Sequence, residues 1–196
     1  MNPHHALPTF RLDAGVQLAQ TAPWTLNPVT RESPALSVMT DLTTVKAATI
    51  APASSLHQAE QQMIYQGVRM LFVVTDMPAI AGLITATDLR GAKPMQVVHE
   101  RGLRYDELTV ADVMTGLDRL EAVAYERLHS ATVGDVVATL KRFGHQHVLV
   151  VEEPGAGTPR RVRGLYSRTQ IERQLGETIE ITPIASSFSE IEQALS

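Results

Sequence analysis

The chain has no cysteine, so it can form no disulfide, no thiolate metal site and no cysteine nucleophile. Aromatic residues make up only 5% of it, and the single tryptophan, Trp24, is read as packing on the body or on a partner rather than taking part in chemistry. Positive charge is not clustered: the formal net charge is −4, with lysine and arginine scattered along the chain. That argues against nucleic acid or a membrane surface as the main partner. No uninterrupted apolar stretch approaches the length of a membrane span. The opening "MNPHHALPTF" lacks a basic region followed by an apolar run, so no signal peptide is expected and the predicted location is cytoplasmic. Missing too are a Ser/His/Asp order, a G-x-x-x-x-G-K phosphate loop and a paired-carboxylate signature. No catalytic constellation is visible, and the expectation is a protein that is not an enzyme.

What is present is a duplication. At 196 residues and 44% hydrophobic content, the chain can build one ordinary domain or two small ones with a real core. Residues 54–74, "SSLHQAEQQMIYQGVRMLFVV", align with residues 131–151, "ATVGDVVATLKRFGHQHVLVV", so that Gly67 falls on Gly144. Leu56, Ala59 and Met63 then fall on Val133, Val136 and Leu140. Upstream, "SVMT" (37–40) matches "DVMT" (112–115); downstream, "GLITATDL" (82–89) matches "GLYSRTQI" (164–171). The second copy carries five extra residues in its turn "EEPGAGTPRR" (152–161), whose glycine and proline mark a loop. Landmarks in one order, written twice, identify a repeat.

Each copy contains the same parts. The apolar spacing at 56, 59 and 63 has helical period. Ser55 and Thr132 are suited to cap helix starts, and Gly67 and Gly144 to end them in a left-handed residue. The β-branched runs "MLFVV" and "HVLVV" predict buried strands, each followed by a turn, a second strand and a helix opening at the hydroxyl. Each half therefore reads strand–helix–strand–strand–helix, an α+β unit. Neither half is large enough to be stable alone, so the two are expected to pack face to face.

The repeated phrase has two chemical readings. Thr85-x-x-Asp88 and Ser167-x-x-Gln170 both fit a helix capping box, which needs no ligand. The same atoms also suit a nucleotide: free N–H groups at a helix start attract phosphate, and an aspartate can accept two hydrogen bonds from a ribose diol. Gly82 would let backbone pass close to such a ligand.

Taken together, "SVMT" and "DVMT", "GVRMLFVVTD" and "GHQHVLVVEE", and "GLITATDL" and "GLYSRTQI" resemble a tandem pair of CBS (cystathionine-β-synthase) domains over roughly residues 34–176. The resemblance implies two βαββα units related by a pseudo-twofold axis. It divides the chain into an N-terminal extension (1–33), a first CBS domain (34–91), a helical connector (92–109), a second CBS domain (110–176) and a C-terminal tail (177–196). It further implies a regulatory module, with no required cofactor, that binds AMP, ADP, ATP or S-adenosylmethionine. Such a module forms a homodimer and signals to a regulated protein, here unknown, by a change of conformation or dimer geometry. The alternative is a degenerate pair that serves as a dimerisation or scaffold module and binds no nucleotide.

Carried over by position, Asp88 matches the ribose-binding aspartate and Thr85 the phosphate-side hydroxyl. Thr49 and Ile50 match the base pocket, and Arg69 and Met70 the phosphate-facing pair. In the second copy the equivalents are Ser167 and Gln170, with Arg168 inside the motif, Gln146 and His147 facing phosphate, and the region of Arg127 and Leu128 on the base side. Gln170 lacks the charge of Asp88, so one competent site and one weakened site are expected.

Other candidates carry less. His145 and His147 share a strand face, but no third metal ligand stands at a helpful spacing. His4 and His5 lie in the chain's opening stretch, while His57 and His99 read as surface residues. Phe72 replaces a proline common in the family and reads as core. Arg160, Arg161 and Arg163 flank the long turn, a cluster that is usually solvated but could reach a phosphate tail or an acidic partner.

Overall fold

The computed structural model describes residues 29–144, 146–153, 155 and 157–180. Trp24, His4, His5, His145 and the short helix expected over "FSEIEQALS" lie outside the described residues.

A 3-10 turn at Ala35–Val38 leads into β1 (Thr40–Asp41), followed by β2 (Thr49–Ile50), α1 (Leu56–Gln66), β3 (Met70–Val74), β4 (Ile80–Thr85) and α2 (Ala86–Arg90). The connector holds α3 (Lys93–Arg101). The second copy opens with α4 (Val110–Val113) and β5 (Thr115–Gly116), then β6 (Ala122–Ala124), α5 (Val133–Phe143), β7 (His147–Glu152), β8 (Arg161–Ser167) and α6 (Arg168–Leu175). Each repeat thus contributes one βαββα unit, β2–α2 and β6–α6, as expected.

The two long helices are bounded as their sequences dictate. Gln58 N–H donates to Ser55 Oγ at 3.1 Å while Ser55 N–H donates to the Gln58 side chain at 2.8 Å. Thr132 and Asp135 form the matching cap on α5. Gly67 and Gly144 end the helices with φ of 64° and 66°, a region that favours glycine. Leu56, Ala59 and Met63 of α1, and Val133, Val136, Val137 and Leu140 of α5, are buried against the sheets.

The sheets show what the repeat alone did not. One has the order β2-β3-β4-β5 and the other β1-β8-β7-β6. The opening strand of each repeat therefore pairs with the other repeat: Thr115 lies opposite Leu83, and Thr40 opposite Leu165. The short segments before them cross as well. Val110 and Val113 complete the core built on α1, whereas Ala35 and Val38 complete the core built on α5.

This exchange explains the glycine that opens each repeated phrase. A Cβ on Gly82 would overlap the Thr115 carbonyl oxygen, and one on Gly164 would stand 2.7 Å from the Thr40 carbonyl oxygen. The backbone that passes Gly82 is thus the exchanged strand, where the sequence reading had placed a ligand.

Between the sheets lies a third apolar cluster formed by Met70, Phe72, Leu83 and Leu149, with Leu42, Leu120, Val162 and Leu165 packed on it. The halves are therefore joined face to face through buried apolar surface, the dominant favourable term for such an association. Phe72 is 3% exposed and belongs to this core.

Polar contacts pin the exchanged β1. Arg163 holds Asp41 with two hydrogen bonds at 3.0 and 2.8 Å and stacks over Tyr125 at 5.0 Å. The Arg163 bonds, followed by those from Thr43, keep the Asp41 carboxyl well below the usual carboxylate range. Arg161 pairs with Glu152, and Arg160 with Glu153. The arginine cluster beside the long turn is thus engaged within the chain. Tyr166, fully buried, donates to the Ala35 carbonyl at 3.1 Å and ties β8 to the segment ahead of β1.

Candidate functional site at the seam

Met70 pairs with Thr85 across β3 and β4, and His147 pairs with Ser167 across β7 and β8. These equivalent ends meet where the two sheets face each other. A small cavity there is lined by Arg69, Thr85, Ala86, Thr87, Gln146, His147 and Thr169. Arg69 is the repeat equivalent of Gln146, and Thr87 that of Thr169, so both repeats bring equivalent positions to the cavity. Its volume is about 10 Å³, room for roughly one water molecule.

Of the sequence-predicted residues, the seam brings together Arg69, Thr85, Gln146 and His147. Met70 is buried in the apolar cluster between the sheets and offers no polar group. Asp88 stands just behind the lining. Its Oδ2 accepts from the Thr85 hydroxyl at 2.7 Å and from Thr85 N–H at 2.9 Å, while Asp88 N–H donates to Thr85 Oγ1 at 3.2 Å. The capping box is therefore formed, leaving Oδ1 outside it. The same arrangement recurs at Thr132–Asp135, and at Thr109–Asp112 the carboxylate likewise accepts from the threonine N–H and hydroxyl. What distinguishes Asp88 is its location, since its charge acts on His147 of the other repeat.

The helix starts offer fewer donors than the sequence reading supposed. Ala86 N–H donates to the Arg69 carbonyl and Arg168 N–H to the Gln146 carbonyl, each at 2.9 Å. Asp88 N–H is taken by the cap. The cation in the lining is Arg69, an exposed residue, rather than a helix terminus. His147 is half-buried; burial, reinforced by Arg69 and opposed by Asp88, pushes its pKa down to about 4. The imidazole is thus neutral at pH 7, with one nitrogen able to donate and the other to accept.

The second repeat differs. Ser167 caps α6 without a side-chain hydrogen bond. Gln170 Oε1 accepts from the Thr40 hydroxyl at 3.1 Å and so grips the exchanged strand. Arg168 points toward the C-terminal segment: Nη1 donates to the Ile179 carbonyl at 3.5 Å, and Nε lies 3.7 Å from Glu172 Oε1. Thr49 and Ile50 lie on β2 beside Phe72 and Val73 and do not line the seam cavity. Arg127 and Leu128 border a different, mostly apolar cavity of about 160 Å³ inside the second repeat, together with Val136, Val148 and Tyr166. His57 and His99 are exposed.

The sequence reading missed Thr87 and Thr169. Their signal was present, because "TATD" and "SRTQ" share a threonine at the third place as well as a hydroxyl at the first. With Thr85 they give the seam three hydroxyls, an amide, an imidazole and a guanidinium, a set suited to an oxyanion.

The comparisons with known proteins agree with this architecture. Residues 37–94 match the CBS domain family. No curated protein matches the chain by sequence. Among solved structures, an uncharacterized conserved protein from Pyrococcus horikoshii is 21% identical, covers 79% of this chain and 100% of its own, and superposes with a TM-score of 0.55. CBSX2 in complex with AMP is 19% identical over 72% of this chain and 94% of its own, with a TM-score of 0.51; CBSX2 is a CBS-pair protein of Arabidopsis thaliana. A CBS-domain-containing protein from Agrobacterium tumefaciens is 19% identical over 68% of this chain and 88% of its own, with a TM-score of 0.50. At these identities the likeness is one of fold. Residues 37–94 match the CBS domain family, and the two repeats together share the fold of CBS-domain proteins.

Proposed function

We infer that the protein is a non-catalytic regulatory module that binds an adenosine-containing ligand (AMP, ADP, ATP or S-adenosylmethionine) at the seam and passes the binding event to a partner protein. The observation that carries this reading is the lining itself: Arg69, Thr85 and Thr87 of one repeat converge with Gln146, His147 and Thr169 of the other. The AMP complex of a structural neighbour supports the ligand class. Arg69 would meet the phosphate, and the Asp88 oxygen outside the cap would meet the ribose.

Clefts for ligands of this size hold roughly 300–1,000 Å³, far more than the space at the seam. A nucleotide must therefore select an arrangement in which the halves stand further apart. It can shift that equilibrium only by its differential affinity for the open and closed forms. The altered angle between halves, or the altered geometry of a homodimer, is then what a partner reads.

Calorimetry with AMP, ATP and S-adenosylmethionine on wild type and Asp88→Ala tests the reading. The variant should bind about 1.5–3 kcal/mol more weakly, as for loss of a hydrogen bond to a charged group; unchanged affinity removes Asp88 from the site.

A second reading rests on the capping boxes. In three Thr-x-x-Asp phrases the aspartate folds back onto its threonine, and Thr109–Asp112 and Thr132–Asp135 lie outside the seam. In that reading the pair is a dimerisation or scaffold module that binds no nucleotide. Native mass spectra free of both co-purified and added nucleotide would favour it.

A further inference from the structure

We propose that a phosphorylated ligand entering the seam brings a proton with it, taken up from solvent by His147. The proposal rests on the nucleotide reading above and adds a coupling to it. Of the seven residues lining the cavity, Arg69 alone carries a charge and His147 alone can acquire one; Thr85, Ala86, Thr87, Gln146 and Thr169 are neutral. The charged groups acting on His147 are Arg69 and Asp88, both from the opposite repeat and of opposite sign. Across its own sheet His147 faces the Ser167 hydroxyl. The neighbouring Arg168 guanidinium is turned toward the Ile179 carbonyl and Glu172.

A phosphate dianion placed here meets one cation and has a carboxylate close behind the wall. Arg69 alone does not balance that charge. Protonation of His147 supplies a second cation and converts the imidazole acceptor nitrogen into a donor aimed at a phosphate oxygen. In the free protein, burial and Arg69 keep the ring neutral. An added phosphate reverses that balance, since an opposite charge within a few ångströms favours the charged form. No bond of the ligand is made or broken; an N–H bond forms on the ring as the buffer acid gives up its proton, and the proton returns to the buffer when the ligand leaves. Affinity for a phosphorylated ligand then rises as pH falls toward 6, whereas affinity for adenosine does not.

The test is calorimetric titration of AMP at pH 6.5 in two buffers of low and high ionisation enthalpy, with adenosine as the unphosphorylated control. The wild type should take up a measurable fraction of a proton per AMP and none with adenosine. His147→Gln should bind AMP several-fold more weakly with that uptake removed. In AMP-saturated wild type, the NMR titration of the His147 ring should move up by more than one pH unit. AMP binding with no uptake and an unmoved ring titration overturns the coupling and leaves the site reading standing. Absence of binding by AMP, ADP, ATP and S-adenosylmethionine alike overturns both.

Discussion

The two repeats use one phrase for two mechanical ends. In the first, the residue three places after the helix-opening hydroxyl is Asp88, which folds back onto its own cap and places a charge near the seam. In the second it is Gln170, which leaves its cap and reaches Thr40 on the strand exchanged from the first repeat. Arg168 in turn anchors the segment after α6. Asp88 thus stays beside the seam while Gln170 is spent on holding the exchanged strand, although Thr87 and Thr169 line the seam from both phrases.

The largest expected effect tests the strand exchange on which both roles depend. Gly82→Ala drives a Cβ into the Thr115 carbonyl, a backbone atom with nowhere to retreat. Urea denaturation should show a loss of about 3 kcal/mol or more. Gly164→Ala should cost less, because its nearest neighbour is 2.7 Å away and part of the remaining crowding comes from the flexible Met39 side chain. Equal and small losses at both positions would mean that the strands do not cross.

Next in size is a dependence on pH that belongs to His147. Its pKa in the folded chain, about 4, lies below the ordinary 6.5. As pH falls through that interval the unfolded chain binds the proton first, so stability present above pH 6.5 is lost on the way to 4. Between pH 7.5 and 5 the loss should be about 2 kcal/mol in denaturant titrations. His147→Gln should flatten that part of the profile. Its repeat equivalent is Met70, so the first repeat contributes nothing comparable at this position.

Smaller effects sharpen the contrast between cap and latch. Asp88→Ala should cost about 1 kcal/mol through loss of its cap. Gln170→Ala should cost about 0.5–1 kcal/mol through loss of the Thr40 hydrogen bond. Hydrogen exchange separates the two: Asp88→Ala should release amides in α2, and Gln170→Ala amides beside β1. Tyr166→Phe, which removes the donor to Ala35, should likewise cost about 1 kcal/mol and loosen the segment before β1.

Much of the fold could be read from the residues. Helical period at Leu56, Ala59 and Met63, caps at Ser55 and Thr132, and glycines at 67 and 144 specified α1 and α5, because those signals are local. The exchange of β1 and β5 was not legible. A two-residue strand carries no period, and "VMT" does not say which sheet it joins. Its trace was the pair Gly82 and Gly164, each needing a bare Cα beside the exchanged backbone; for Gly82 that need reads in the sequence as room for a ligand. At the seam, Arg69, Thr85, Gln146 and His147 follow from the resemblance, which carries its phosphate-facing positions onto both repeats. Thr87 and Thr169 did not stand out, because a capping box uses only the first and last residues of each phrase and gives no role to the third. The departures of Gln170 and Arg168 depend on contacts with Thr40 and Ile179, far away in sequence. No spacing rule within the phrase encodes such partners.

The account stands most directly on Arg69, the one charged residue in the seam lining and one that forms no ion pair among the described residues. Calorimetry of AMP and adenosine against wild type and Arg69→Ala measures its role without disturbing a core contact. Loss of the guanidinium should weaken AMP binding at least tenfold while adenosine binding is unchanged. AMP affinity that is the same with and without the guanidinium would contradict it.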